Sequence, residues 1–323
     1  MISALPYSPY IAPLWLPGGH LQTIYPSTCI AKPEVAYRRE RWTAPDGDFI
    51  DIDFVDGQPG KPMIVMFHGL EGSSASHYSR AMMAYAASLG WSGAAPHFRG
   101  CSGEINLAPR FYHSGDTAEV DWILRRLADS RSQKKFSKLY ATGASMGGNA
   151  LLCWLGESQQ QANLIDAACA ISAPLDLAGG GNALSQGFNM LYTRVFLRTM
   201  KTKALDKLAQ FPSLFDRERM LSATNLHAFD NVVTAPLHGF RDADDYWNRA
   251  SAKHVLSDIV VPTLILNAQN DPFLPPRHLP RSAASSVTLE YPAQGGHVGF
   301  PVGSLPGRVD WLPRRVVQFL LTA

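Results

Sequence analysis

Short, mostly apolar runs recur along the chain. They are separated by segments in which apolar residues recur at the spacing of a helix. The runs lie at 63–67, 92–96, 139–142, 167–172, 262–267 and 287–291. Continuous runs of this kind are typical of strands that are buried on both faces of a parallel sheet. The intervening patterns, such as Val120, Ile123, Leu124 and Leu127, predict helices that pack on those strands. Alternating strands and helices predict an α/β protein with a mostly parallel, doubly wound sheet.

One segment near the N-terminus follows a different pattern. Residues 49–55 alternate between apolar and acidic side chains, and Asp46-Gly47 precedes them. Alternation with a period of two predicts an antiparallel strand with one buried face, and Asp-Gly is typical of a hairpin turn. We therefore expect a half-buried antiparallel strand ahead of the parallel ones.

The strand–helix alternation is interrupted from residue 174 to residue 253. This segment begins around Gly179-Gly180-Gly181 and carries helical patterns with little strand signal. We therefore predict an α/β core that consists of residues 1–173 and 254–323. A helical cap of residues 174–253 is predicted to be inserted into that core and to lie over the sheet.

The first 40 residues are rich in proline and have no regular pattern. Residues 1–19 contain no basic residue, and four prolines interrupt them, so they lack the features of a signal peptide. Leu14, Trp15, Leu16 and Leu21 are nevertheless too apolar for a free tail. We expect residues 1–40 to form an arm that packs on the core.

The composition excludes several classes of protein. With 323 residues, of which 46% are hydrophobic and 17% charged, the chain is too apolar for a disordered protein. The net charge of +2, without a long basic run, disfavours nucleic acid as a partner. The four cysteines form no C-x-x-C pair, the histidines lack zinc-helix spacing, and no run reaches the roughly 18 apolar residues of a membrane span. We expect a cytoplasmic protein without metal, other cofactors or stable membrane insertion; the sequence leaves its oligomeric state open.

The sharpest local motif is Gly143-Ala144-Ser145-Met146-Gly147, which fits G-x-S-x-G. It lies between a predicted strand and a predicted helix, where such a serine projects its hydroxyl above the edge of the sheet. Glycines on either side allow the tight turn, and the following helix N-terminus favours developing negative charge. Ser145 is therefore the candidate nucleophile.

A serine hydroxyl needs a base, and the base needs an acid that orients it. Asp271 follows the apolar run 262–267, and His297 lies in a glycine-rich loop after the run 287–291. Both positions follow strands at the carboxyl edge of a parallel sheet, where such folds collect functional groups. Asp242, Asp244 and Asp245 are alternative acids within the predicted cap, and His68 is the main alternative base.

Stabilisation of an oxyanion requires two backbone N–H donors close to the nucleophile. Met146 directly follows Ser145 and would supply one donor. The loop after the strand 63–67 would supply the other, and Leu70 is our candidate there. His68, at the start of that loop, would then shape the loop rather than act as the base.

The chain resembles the α/β-hydrolase superfamily, and more narrowly the YheT-type branch that is related to the ABHD proteins. The resemblance rests on LPGGHLQT at 16–23, HGLEGS at 68–73, FRGCSG at 98–103, GASMGGN at 143–149 and GGHVGF at 295–300. It implies an α/β-hydrolase fold and an esterase-type activity with Ser145, Asp271 and His297 as a triad. The same three residues follow from strand ends and chain order.

These patterns predict a serine hydrolase that cleaves carboxylic esters, and we expect short- to medium-chain acyl esters as its substrates. The apolar side chains of Phe188, Met190, Leu191, Tyr192 and Phe196 would line the pocket and would also suit a lipid-like ester. Alternatively, they only bury themselves against the sheet. A non-catalytic ligand- or partner-binding protein on the same fold remains open, as does a thioesterase or acyltransferase that uses the same triad.

Overall fold

The computed structural model describes residues 9–132 and 136–323, so residues 1–8 of the predicted arm lie outside the described residues. Within the described part, strands form one eight-stranded sheet in the order β1-β2-β4-β3-β5-β6-β7-β8. The strands are β1 (Arg38–Thr43), β2 (Phe49–Val55), β3 (Met63–Phe67), β4 (Ser92–Pro96), β5 (Leu139–Ala144), β6 (Ala167–Ile171), β7 (Thr263–Leu266) and β8 (Val287–Glu290).

The pairing of the strands confirms the predicted fold class. β1 pairs with β2 and β2 with β4 in antiparallel register, whereas every neighbouring pair from β4 to β8 is parallel. Helices connect the parallel strands from β3 to β7, as the alternating sequence pattern predicted, and a short 3₁₀ turn lies between β7 and β8. The helices are α1 (Gly19–Thr28), α2 (His77–Ser88), α3 (Thr117–Ser132), α4 (Met146–Ser158), α5 (Leu177–Leu184), α6 (Met190–Gln210), α7 (Arg217–Ser222), α8 (Leu226–Val232), α9 (Thr234–Leu237), α10 (Ala243–Arg249) and α11 (Trp311–Thr322), with short 3₁₀ turns at Gln159–Leu164, Gly187–Asn189, Ala252–His254 and Pro276–His278.

Two apolar layers bury the faces of the sheet. The layer on one face includes buried residues of α3 and α4, such as Leu124 and Leu151. The opposite layer includes buried residues of α2 and α11, such as Met82 and Val316. Because both faces are covered, the parallel strands carry apolar residues continuously, which explains the uninterrupted runs in the sequence. No helix within the described part of the chain is long and apolar enough to cross a membrane.

The antiparallel strand β2 is buried on both faces, so the prediction of a half-buried strand was wrong. Arg39 and Arg41 of β1 lie directly opposite Asp53 and Asp51 of β2. Each arginine donates two hydrogen bonds of 2.7–2.9 Å to the opposite carboxylate. The ion pairs satisfy the acidic side chains and shield them from water, which lets the polar face of β2 become buried.

The segment between β6 and β7 forms helices α5 to α10. Several of them begin at an acidic or amide side chain that accepts a backbone N–H of the first turn, as N-cap residues do: Asp176, Asp216, Asn225 and Asp242. The glycine run lies inside α5. A Cβ at Gly181 would lie 2.4 Å from the Trp247 ring, so the missing side chains let α5 approach α10 closely.

The segment before β1 contains a regular helix, α1, which the irregular sequence pattern did not predict. Leu16 is buried just before this helix, and Gln22 and Thr23 are buried within it. Leu14 is fully exposed and Leu21 is half exposed, contrary to the expectation that they pack on the core. Polar groups as well as apolar ones therefore attach this segment to the rest of the protein.

Candidate active site

Ser145 lies at a strained turn between β5 and α4. Its backbone has a φ of 52° and a ψ of −125°, a conformation that is rare for residues with a side chain. A Cβ at Gly143 would lie 2.4 Å from the carbonyl oxygen of Gly147, and a Cβ at Gly147 would lie 2.4 Å from that of His68. The two glycines are therefore required for the close approach of α4 to the strand ends, and the turn leaves Ser145 partly exposed.

The structure brings Ser145, His297 and Asp271 together in one hydrogen-bonded series. The Nε2 atom of His297 lies 2.9 Å from the Oγ atom of Ser145, and its Nδ1 atom lies 2.8 Å from the Oδ2 atom of Asp271. A carboxylate oxygen accepts hydrogen bonds, so we assign the ring proton to Nδ1, which leaves Nε2 free to accept the Ser145 hydroxyl proton. The three residues come from the ends of β5, β7 and β8.

Asp271 and the imidazole ring of His297 are held by further contacts. The side chain of Asp271 is buried, and its Oδ1 atom accepts the backbone N–H of Phe273 at 2.8 Å. The Phe273 ring stacks on the His297 ring with 4.0 Å between their centroids and 22° between their planes. Stacking on one face of the imidazole restricts its rotation and shields the hydrogen bond to Asp271 from water.

The alternative acids and the alternative base lie in other surroundings. Asp242 caps α10, Asp244 contacts His227, and Asp245 contacts Arg249. His68 is buried, its Nδ1 atom donates to the carbonyl of Gly69, and its Nε2 atom accepts the backbone N–H of Phe98. Burial lowers the pKa of His68 to about 3, so its ring is neutral and ties the loop after β3 to the end of β4.

The loop that carries Leu70 is fixed on both sides of that residue. The backbone N–H of Gly69 donates to the Tyr78 hydroxyl at 2.8 Å, and that of Glu71 donates to the Tyr112 hydroxyl at 2.9 Å. Leu70 and Met146 both line the cavity into which Ser145 and His297 open. The N–H of Met146 belongs to the first turn of α4, where backbone donors have no acceptor within the helix.

Ser145 and His297 open into a largely apolar cavity of about 1030 Å³, a volume that includes its open mouth. Helices between β6 and β7 line much of it, as the sequence predicted. Of the five side chains named for this role, Phe196 alone lines the cavity. Phe188 and Leu191 are exposed instead. Apolar contributions from those helices come from Leu177, Leu184, Phe196, Met200, Leu226, Phe229 and Trp247.

The cavity-facing side of α6 follows from its helical period. Phe196, Met200 and Lys203 are four and three residues apart and therefore share one face. Leu191 and Val195 lie on the solvent side of the same helix. Lys203 donates to the Oε1 atom of Glu71 at 2.9 Å, so the two charged groups that reach this wall neutralise each other.

A second acidic group, Asp230 of α8, lies in the wall of the cavity. Its carboxylate accepts hydrogen bonds from the Thr234 hydroxyl at 2.6 Å and from the Trp247 indole N–H at 2.8 Å. Burial raises the pKa of Asp230 to about 6. Neither the apolar runs nor the catalytic motif in the sequence pointed to this residue.

The raised pKa of Asp230 leads to a pH-dependent difference in stability between the wild type and Asp230→Asn. Between pH 6 and pH 4 the folded protein binds a proton that the unfolded chain has released, so acid stabilises the wild type relative to the variant. As the pH falls, we expect the unfolding free energy of the wild type to rise relative to that of Asp230→Asn by up to about 1.4 kcal/mol for each pH unit. Urea unfolding of both proteins at pH 7, 6 and 5 measures this slope; an equal difference at all three values would contradict it.

Residues of α1, which carried no predicted role, contact the loop of His297. The hydroxyl of Thr23 accepts the backbone N–H of His297 at 2.8 Å and donates to the carbonyl of Gly19 at 2.7 Å. The motif at 16–23 was noticeable in the sequence, but only its location in the fold reveals the contact. Among residues 9–132 and 136–323, no three His, Cys, Asp or Glu side chains are grouped to hold a metal ion.

The chain is similar to proteins of one family along most of its length. The alpha/beta hydrolase fold family matches residues 62–304. YheT of Escherichia coli is 37% identical over 312 residues, which are 94% of this chain and 90% of YheT. Phospholipase ABHD3 of Mus musculus is 29% identical over 323 residues, which cover 96% of this chain and 78% of the phospholipase. Monoacylglycerol lipase of Saccharomyces cerevisiae is 27% identical over 275 residues, which cover 81% of this chain and 59% of the lipase.

Solved structures with the same fold are more distant in sequence. The esterase Pf2001 of Pyrococcus furiosus superposes with a TM-score of 0.56 at 14% identity, covering 91% of this chain and 98% of that one. Est1E of Butyrivibrio proteoclasticus, with bound ferulic acid, has a TM-score of 0.55 at 14% identity. The match covers 89% of this chain and 98% of Est1E. At this level of identity the likeness shows a shared fold.

Proposed function

Because this chain belongs to the α/β-hydrolase fold family, we propose that it is a serine hydrolase that cleaves carboxylic esters through an acyl-enzyme on Ser145. The observation that carries the proposal is the continuous hydrogen-bonded series from Ser145 through His297 to Asp271. Its serine end opens into an apolar cavity, where an acyl group would be desolvated.

In the first half of the reaction, the Oγ atom of Ser145 attacks the ester carbonyl while Nε2 of His297 takes the hydroxyl proton. Asp271 accepts from Nδ1 and stabilises the imidazolium that forms. The backbone N–H groups of Leu70 and Met146 donate to the oxyanion of the tetrahedral intermediate. One such donor is typically worth about 3 kcal/mol of transition-state stabilisation. His297 then returns the proton to the alcohol oxygen as the ester bond breaks.

In the second half, a water molecule attacks the acyl-enzyme. His297 takes a proton from that water through Nε2, and the new oxyanion uses the same N–H donors. Collapse of this intermediate breaks the bond to the Oγ atom of Ser145, which regains the proton from His297. The carboxylic acid leaves, and the enzyme returns to its starting state.

The lining of the cavity supports an acyl chain as the group bound next to Ser145. Its walls are mostly apolar, and the Glu71 carboxylate within them pairs with Lys203. We propose short- to medium-chain acyl esters as substrates. The relatives named as a phospholipase and as a monoacylglycerol lipase support lipid esters as the second candidate. Residues 174–253, which include the helices between β6 and β7, would act as a cap over the sheet and select among acyl chains of different length.

Labelling with a fluorophosphonate probe tests the proposed nucleophile. We expect one stoichiometric adduct, mapped to Ser145 by mass spectrometry, in the wild type and in the control Ser185→Ala, whose partly exposed serine lies outside the cavity lining. Ser145→Ala should remain folded and unlabelled. The same proteins are then assayed with p-nitrophenyl esters of increasing chain length and with the matching thioesters.

The outcomes separate the candidate functions. An unlabelled wild type would overturn the hydrolase proposal and leave a binding protein on the same fold. A labelled protein that turns over thioesters far faster than oxygen esters would overturn the carboxylesterase assignment and favour a thioesterase. A steep gain in kcat/KM with acyl length would replace short- to medium-chain esters by lipid esters as the substrate class.

A further inference from the structure

The helix α1 lies against both loops that carry the acid and the base. Its residue Gln22 is completely buried, although its side chain is polar. In the loop of Asp271, the acid loop, Asn270 precedes the acid. In the loop of His297, the base loop, Gly295 and Gly296 precede the base. A buried amide in this location needs partners for two donors and one carbonyl oxygen.

Gln22 finds four partners, and three of them, Asn270, Gln294 and Gly295, belong to these loops. Its Oε1 atom accepts from the Nδ2 atom of Asn270 and from the backbone N–H of Gly295, both at 2.9 Å. Its Nε2 atom donates to the carbonyl of Leu16 at 2.9 Å and to the Oε1 atom of Gln294 at 2.8 Å. One carbonyl oxygen of α1 thus bridges the acid loop and the base loop.

The bridge is continued by Asn270 and by close backbone contacts. The Oδ1 atom of Asn270 accepts the backbone N–H of Gly296 at 3.0 Å, which joins the two loops directly. A Cβ at Gly19 would lie 1.9 Å from the carbonyl oxygen of Asn270, and a Cβ at Gly299 would lie 1.8 Å from that of Gln22. Glycine at these positions lets α1 touch both loops with its backbone.

We propose that Gln22 is a positioning residue that sets the location of Asp271 relative to His297. The inference rests on the proposed function, because it assigns Gln22 to the triad described there. Gln22 is absent from the residues that line the cavity, so it acts through the two loops and does not contact the substrate there. It also lies outside residues 62–304, the part that matches the family.

Three variants test this role. Gln22→Met keeps a similar volume but removes all four hydrogen bonds of the side chain. Gln22→Glu retains an oxygen that can accept from Asn270 and Gly295, and it removes the Nε2 donors. Ile30→Ala is the control, because Ile30 is buried shortly after α1 in an apolar cluster with Ala81 and Val309. It reports what a general loosening of this region does.

Two readouts distinguish positioning from a structural role. The first is the division of the effect between kcat and KM for a p-nitrophenyl ester. Because a displacement of about 1 Å in a catalytic group reduces rates by about 100-fold, we expect Gln22→Met to lower kcat by roughly 10- to 100-fold. KM should change by less than about twofold, since cavity contacts are retained. Gln22→Glu should lose less of kcat than Gln22→Met, and Ile30→Ala should retain kcat despite lower stability.

The second readout is independent of turnover: the far-downfield ¹H NMR resonance of the Nδ1 proton that His297 donates to Asp271. It is assigned by its loss in Asp271→Asn, and we expect it to weaken or move in Gln22→Met and to stay in Ile30→Ala. An unchanged resonance with unchanged kcat in Gln22→Met overturns the positioning role, as does an equal loss of kcat in Ile30→Ala. If the wild type has no esterase activity, the proposed function fails while the resonance still tests Gln22.

Discussion

Replacing His297 with glutamine is expected to lower kcat/KM for a p-nitrophenyl ester by roughly 10⁴- to 10⁶-fold. The Nε2 atom of His297 is the acceptor 2.9 Å from the Ser145 hydroxyl. A glutamine amide can form a hydrogen bond there but cannot take up a proton at neutral pH, so the serine stays a weak nucleophile. The measurement is steady-state hydrolysis of p-nitrophenyl butyrate by purified protein, with circular dichroism to verify folding.

The control for this experiment is His254→Gln, the same change at an exposed histidine in the turn after α10. It should leave kcat/KM within about twofold of the wild type, since the side chain is exposed and lies outside the cavity lining. A folded His297→Gln variant that retains more than a tenth of the wild-type rate would show that another group activates the nucleophile.

Gly147→Ala is expected to damage both the activity and the stability of the protein. The added Cβ would lie 2.4 Å from the carbonyl oxygen of His68 and 2.6 Å from that of Phe67. Both are backbone atoms at the end of β3 and cannot rotate away, so α4 must shift and carry Ser145 with it. We expect kcat/KM to fall by about 100-fold or more and the unfolding free energy by about 1–3 kcal/mol.

Gly60→Ala provides the matched comparison in enzyme assays and urea unfolding. Gly60 has a φ of 76°, but a Cβ there would have no neighbour within 4 Å. The backbone strain should lower stability by about 1–2 kcal/mol and leave kcat/KM unchanged. Equal activity of the two variants would mean that the turn at Ser145 tolerates displacement, contrary to the steric argument.

The fold, the family and the three candidate catalytic residues could be predicted because each has a local signal. Ser145 lies in a motif of five residues, and Asp271 and His297 directly follow apolar runs. Parallel strands align their carboxyl ends, so residues that follow separate strands meet at one edge of the sheet. Short-range patterns were therefore sufficient to predict that these three residues are close together.

The wrong predictions concern burial that depends on a partner elsewhere in the chain. The acidic residues of β2 look exposed in the sequence, and the arginines of β1 bury them. Phe188 and Leu191 look like pocket residues but are exposed, whereas Phe196, which was predicted, and Met200, which was not, line the cavity. A helical period predicts which residues share a face and leaves open which face meets the core.

The contacts of Gln22 could not be predicted because they connect distant parts of the chain. Asn270 and Gly295 lie 248 and 273 positions away from it. A glutamine in a proline-rich segment has no local pattern that indicates burial, and long side chains of this type are mostly exposed. Its role follows only from the location of α1 in the folded protein.

The ion pairs between β1 and β2 also bear on how the sheet meets other molecules. β1 is the outermost strand on its side of the sheet, and four of its six residues are charged: Arg38, Arg39, Glu40 and Arg41. A foreign strand that added to this edge would have to strip water from those charges or break their pairs with Asp51 and Asp53. Charged side chains of this kind protect sheet edges from aggregation. The pairs that bury β2 therefore also keep this margin of the sheet from acting as a template for further strands.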